Sequence, residues 1–150
     1  QGRRDVAHSE RLIDASASVV YDALVDAERY PEWLVGAQRV VVSDGRWPRE
    51  GSSFDHRVGA GPVQVADSTT VSENRPNREF DLVVRARPFL EADVRFHLES
   101  VECGTLLSMD ETPRGVFRVL APLIAFPVKL RNDRSLRNLA ELIAGSSSPT

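Results

Sequence analysis

His56 sits between Phe54 and Val58 on a run that alternates with Asp55 and Arg57, and Glu111 ends the series Leu107, Met109. A polar group on an apolar strand face costs about 1–3 kcal/mol unless it meets a partner or water, so these two are the leading candidates for chemistry. Facing one cavity, an imidazole and a carboxylate can orient a ligand's carbonyl or hydroxyl, or serve as an acid and base pair. The plainer alternative makes His56 a satisfied core or rim residue and Glu111 a solvated strand end. Asp67 and Thr69 share a face with Val65 and Val71, although Ala66, Ser68 and Thr70 form an equally good inner face. Asn132 and Ser135 interrupt an apolar helical stripe, either as polar groups over the sheet or as helix residues bonded to their own backbone. Trp33, after Pro31 and Glu32, suits core packing and ligand contact equally.

The remaining charges read as solvated. Arg85, Arg87 and Arg95 oppose the apolar positions of their strands, and only a bulge near Pro88 that turned Arg87 inward would make it a carboxylate anchor. Arg131, Arg134 and Arg137 are diluted by Asp133 and Glu141.

Several reaction classes lack their residues. Gly59-Ala60-Gly61 has no third glycine for a dinucleotide loop, no phosphate-loop lysine occurs, and Gly51-Ser52-Ser53 is not a nucleophile elbow. His8, His56 and His97 have no metal-ligand spacing, so neither a metal nor another cofactor is expected. The net charge of −3 gives no clustered cationic excess for nucleic acid. Cys103 is the single cysteine and cannot close an internal disulfide, and no apolar run approaches the roughly 20 residues of a transmembrane helix. The first residues lack the basic, apolar and small-residue succession of a signal peptide, so a cytoplasmic location is expected.

The elements that must position these residues follow from periodicity. Residues 6–13 suit a first strand, and Ser16 can cap a helix with an apolar face of Val19, Val20, Ala23 and Leu24. Asp26 looks like the cap of a second short helix ending at Pro31. Residues 37–112 read as strand and turn: strands are expected at 38–43, around Phe54 to Val58, at 63–73, 80–86 and 93–99, and at 105–112. The alternation predicts a meander covered on one side and wet on the other. A final helix carries the stripe Val128, Asn132, Ser135, Leu139 and Leu142, with Leu136 and Ile143 beside it. Pro122 and Pro127 would start or kink it. One domain over residues 1–145 and a flexible tail at 146–150 are expected.

The segment "IDASASVVYDALVDAERYPEWLVGAQRV" at 13–40 carries a small-residue cap, then Tyr21, Ala23 and Leu24, then Asp26, Tyr30, Pro31 and Trp33. It resembles the opening of the START and birch-pollen-allergen-like superfamily, also called SRPBCC or polyketide cyclase/dehydrase. "GTLLSMDE" at 104–111 and "RNDRSLRNLAELI" at 131–143 are similar to that family's last strand and helix. The resemblance implies an α+β helix-grip fold: a curved antiparallel sheet of about seven strands, two short helices after the first, and a long C-terminal helix over a cavity. It also implies a small hydrophobic or amphipathic ligand, lined by Trp33, Phe54, His56, Asp67, Thr69, Leu82, Val84, Phe96, Leu107, Met109, Glu111, Phe117, Leu120 and Asn132. Its members include lipid carriers, hormone receptors and cyclases, so two alternatives stay open. One is an aromatase or cyclase using His56 and Glu111; the other is a module that binds a protein partner. A monomer or weak homodimer is expected.

Overall fold

The computed structural model describes residues 7–35, 37, 42, 44–60, 63–86 and 90–147. Strand β1 (Ala7–Ile13) leads into helix α1 (Ala17–Val25), a 3-10 turn (Ala27–Arg29) and the single-turn helix α2 (Tyr30–Trp33). Five strands follow: β2 (Ser53–Ala60), β3 (Val63–Arg75), β4 (Glu79–Ala86), β5 (Leu90–Val101) and β6 (Gly104–Pro113). A second 3-10 turn (Gly115–Arg118) precedes helix α3 (Ala121–Ser147).

The strands form one antiparallel sheet in the order β1-β6-β5-β4-β3-β2, so the chain meanders from β2 to β6 and β1 closes beside the last strand. Six strands are present among the described residues rather than about seven. The strand expected at 38–43 falls outside them except at Val42, which is in no strand.

Ser16 caps α1 as its sequence implies, its Oγ accepting from the Val19 amide at 3.4 Å. The buried face of α1 is Val20, Tyr21 and Leu24, whereas Val19 is exposed. The helix is turned from the expected face because the Tyr21 ring enters the core edge-on to Phe80, at 6.4 Å. Helix α3 is continuous: Pro122 occupies its first turn, where no amide partner is needed, and Pro127 lies inside it. It also runs through Gly145 to Ser147, into the tail expected at 146–150.

The core fills the space between the concave sheet face and the helices. Phe80, Leu82, Val94, Phe96, Leu98, Leu107 and Met109 come from the sheet, Leu136, Leu139 and Ile143 from α3, and Leu24, Tyr30 and Trp33 from the short helices. Each such side chain removed from water stabilises the fold by roughly 1.5–3 kcal/mol.

Candidate functional site

The strand register orders the inner face into rows. One row runs Glu111, Val94, Leu82, Val71 across β6, β5, β4 and β3; another runs Pro113, Ala92, Val84, Thr69, Phe54. Thr69 and Val71 are buried while Ser68 and Thr70 are half-buried, so of the two faces open for β3 the odd-numbered one packs inward here.

Glu111 reaches from β6 to α3. Its Oε1 accepts from Arg131 Nη2 at 2.5 Å and from Asn132 Nδ2 at 3.2 Å, and Arg131 also donates from Nε and Nη2 to Asn132 Oδ1, each at 3.3 Å. Asn132 is fully buried, and the Glu111 side chain is only 16% exposed. The three groups close a triangle that ties the last strand to the last helix. With two donors on one oxygen, one of them cationic, Glu111 has fewer lone pairs with which to take a proton from a substrate. Ser135 is likewise buried; its hydroxyl donates to Arg131 O and accepts from the Val35 amide, both at 3.0 Å. Both Asn132 and Ser135 therefore bind the helix to its surroundings.

His56 pairs in register with Asp67 on β3, and Asp67 with Ala86 on β4. Three strands separate β2 from β6, so the backbones of His56 and Glu111 stand apart by four strand spacings, about 19 Å along a flat sheet. They are not neighbours on the sheet; a shared role needs a ligand that spans the grip. The side chains of His56, Asp67 and Phe117 lie outside the described residues, as does Arg87. Arg85 and Arg95 are exposed, as their strand parity implies.

The apolar candidates gather in one place. Trp33, Phe54, Leu82, Phe96, Leu107 and Met109 are buried in the core cluster and Val84 packs against it, whereas Leu120 is exposed. Around Phe54 they form an aromatic nest: Trp47 meets Phe54 at 4.7 Å between ring centroids, Tyr30 meets Phe54 at 6.0 Å and Trp33 at 5.5 Å, and Trp33 meets Phe96 at 6.4 Å. Four of the aromatic side chains in and around it carry a polar tip. Trp47 Nε1 donates to Val25 O at 2.8 Å and the Tyr21 hydroxyl to Asn74 Oδ1 at 2.7 Å. The Tyr30 hydroxyl and Trp33 Nε1 are buried with no hydrogen-bond partner among the described residues. Burial pushes the Tyr30 phenol well above its ordinary range. Each unmet donor costs about 1–3 kcal/mol until an acceptor reaches it. Sequence reasoning singled out Trp33 but not Tyr30, although the Tyr30-Pro31-x-Trp33 run was its signal.

At the other end of β6 a solvent-open groove of about 540 Å³ lies between residues 14–17 and 100–104. Its lining is mixed polar and apolar, and it includes none of the candidate ligand-binding residues.

The chain matches, over residues 5–144, the family described as polyketide cyclase / dehydrase and lipid transport. It belongs to that family. No curated protein matches it by sequence. Among solved structures it is similar to a Chromobacterium violaceum protein at 21% identity, with a TM-score of 0.72 over 93% of this chain and 97% of that one. It is also similar to the di-domain ARO/CYC of the steffimycin biosynthetic pathway (16% identity, TM-score 0.69, 95% of this chain and 53% of that one). A third likeness is to Ara h 8.0201 (13%, 0.70, 93% and 97%). These likenesses give the helix-grip fold that the sequence implies. Family and fold together support a hydrophobic-ligand-binding or cyclase-type role. No helix among the described residues is long and apolar enough to cross a membrane.

Proposed function

We propose that this member of the polyketide cyclase and lipid transport family is a binding protein for a small hydrophobic or amphipathic molecule bearing a hydrogen-bond acceptor. The molecule takes a place between the concave sheet face and α3 that core side chains fill in its absence. The observation that carries this reading is the pair of unmet donors, Tyr30 Oη and Trp33 Nε1, inside an otherwise apolar aromatic nest. A ligand carbonyl, ether or carboxylate oxygen that reached them would remove a standing penalty, while its apolar body would replace contacts among Phe54, Phe96 and Met109. The start of α3 supports a mouth for such a molecule, because Leu120, Leu123 and Phe126 are exposed there, Leu123 by 76% and Phe126 by 68%.

Binding without turnover is favoured over the cyclase reading by two features. The Glu111 carboxylate is already engaged by Arg131 and Asn132, and the register keeps His56 away from it. The test is a thermal-shift panel of fatty acids, sterols and aromatic polyketides, followed by incubation of each hit with wild type and with Glu111→Gln. A hit at about 100 times its dissociation constant adds roughly 2.7 kcal/mol and is recovered chemically unchanged. Conversion of the hit by wild type but not by Glu111→Gln establishes the cyclase reading instead.

A further inference from the structure

We propose that the carboxylates of Glu73, Glu79 and Asp81, on the outer face of the β3–β4 hairpin, form a site for one hard divalent cation of the Ca²⁺, Mg²⁺ or Mn²⁺ class. Glu73 pairs with Asp81 across the hairpin, and Glu79 pairs with Arg75 one step nearer the turn. The register shifts between Val71 and Glu73, and such a bulge re-aims the side chains beside it. As a result one carboxylate oxygen from each of the three residues lies within 4.8 Å of the others.

The second observation is Asp81 itself. Strand parity puts it on the wet face, yet its side chain is only 5% exposed. Its Oδ2 faces Arg95 Nε at 3.4 Å, while its Oδ1 is buried with no hydrogen-bond partner among the described residues. The charged groups around it are Glu73, Arg75 and Glu79 from the hairpin and Arg95 from β5, with His97 opposite Glu79. Arg75 is taken by Glu73 at 2.9 Å, and Arg75 and Arg95 are both mostly exposed, so three carboxylates face two screened guanidinium groups.

An unmet acceptor crowded by other acceptors is satisfied by a cation. Three carboxylate oxygens match the hard ions, which complete six or more ligands with water, and mismatch the thiolate and imidazole preferences of zinc and copper. The expectation of no metal rested on the spacing of the histidines; this site uses none of them. It lies on the opposite sheet face from α3, so its occupancy is independent of the ligand reading above.

The experiment is a Mn²⁺ titration of the full chain, with free Mn²⁺ followed by electron paramagnetic resonance and thermal stability read in parallel. One Mn²⁺ per chain is expected, with a dissociation constant on the order of 10⁻⁴ to 10⁻³ M. Asp81→Asn and Glu79→Gln each weaken it about tenfold or more, and Glu99→Gln, on an exposed stretch of β5, leaves it unchanged. Both site variants relieve like-charge crowding, so they keep their fold without metal. Absence of saturable binding at Mn²⁺ concentrations well above that range, or wild-type affinity retained in Asp81→Asn and Glu79→Gln, overturns the proposal.

Discussion

Replacing Tyr30 by Phe removes a single oxygen from the interior, and the structure predicts the unusual result that the ligand-free protein becomes more stable. Tyr30 is buried and its hydroxyl has no hydrogen-bond partner among the described residues. Deleting a buried donor with no partner recovers about 1–3 kcal/mol of desolvation, from which the small void left by one oxygen subtracts a fraction of 1 kcal/mol. A net gain near 1 kcal/mol raises the melting temperature by about 3 °C in a chain of this length and moves a urea midpoint by about 0.5 M. Tyr21→Phe is the internal control, because that hydroxyl donates to Asn74 Oδ1 at 2.7 Å. Its loss costs about 1 kcal/mol, and the two variants shift in opposite directions. Urea unfolding of wild type and both variants under one buffer decides the matter. If Tyr30→Phe is destabilised alongside Tyr21→Phe, the Tyr30 hydroxyl holds a bond in solution and the reasoning from an unmet donor is wrong.

Two other perturbations follow from local geometry. Gly104 has φ +143°, and a Cβ there would lie 2.2 Å from the Ile13 carbonyl oxygen, so Gly104→Ala must displace the β1–α1 turn; a loss of about 3 kcal/mol is expected in thermal unfolding, and a shift within error would show that the turn yields freely. His8 is held above its ordinary pKa of 6.5, first by its hydrogen bond to Asp110. A raised histidine pKa contributes stability that is fully present below the unfolded value and is lost as pH rises through the folded one. His8→Ala therefore costs more at pH 5.5 than at pH 8.5, by less than about 1 kcal/mol because the ring is half exposed. An equal cost at both pH values removes the His8–Asp110 pair from the account.

Much of the fold was legible because local signals agree with it. Ser16 caps α1, strand alternation gives β4 and β6 almost to their ends and the centre of β5, and Leu136, Leu139 and Ile143 fall on the packed face of α3. The misreadings come from tertiary contacts. The inner face of α1 is chosen by Tyr21 against Phe80 rather than by counting aliphatic residues, which leaves Val19 in water. Gly145 does not end α3, since a glycine is a frequent but optional stop. At the site, parity found the inward direction of Leu107, Met109 and Glu111, but it carries no information about partners. Whether Glu111 is free or clamped depends on Arg131 and Asn132, some 20 residues away in sequence. Asp81 was unreadable for the same reason: an acidic residue on a wet-face position reads as solvated, and its burial is made by neighbours on β3 and β5. The unmet donors of Tyr30 and Trp33 are likewise a property of the assembled nest, not of the segment that supplies them.

The measurement closest to the central claim is native mass spectrometry of the freshly purified chain, repeated after incubation with the fatty acid, sterol and polyketide panel. A 1:1 complex with at least one apolar, acceptor-bearing molecule is expected, and a weaker complex for Tyr30→Phe. The bare chain mass throughout, with wild type and Tyr30→Phe alike, would contradict it.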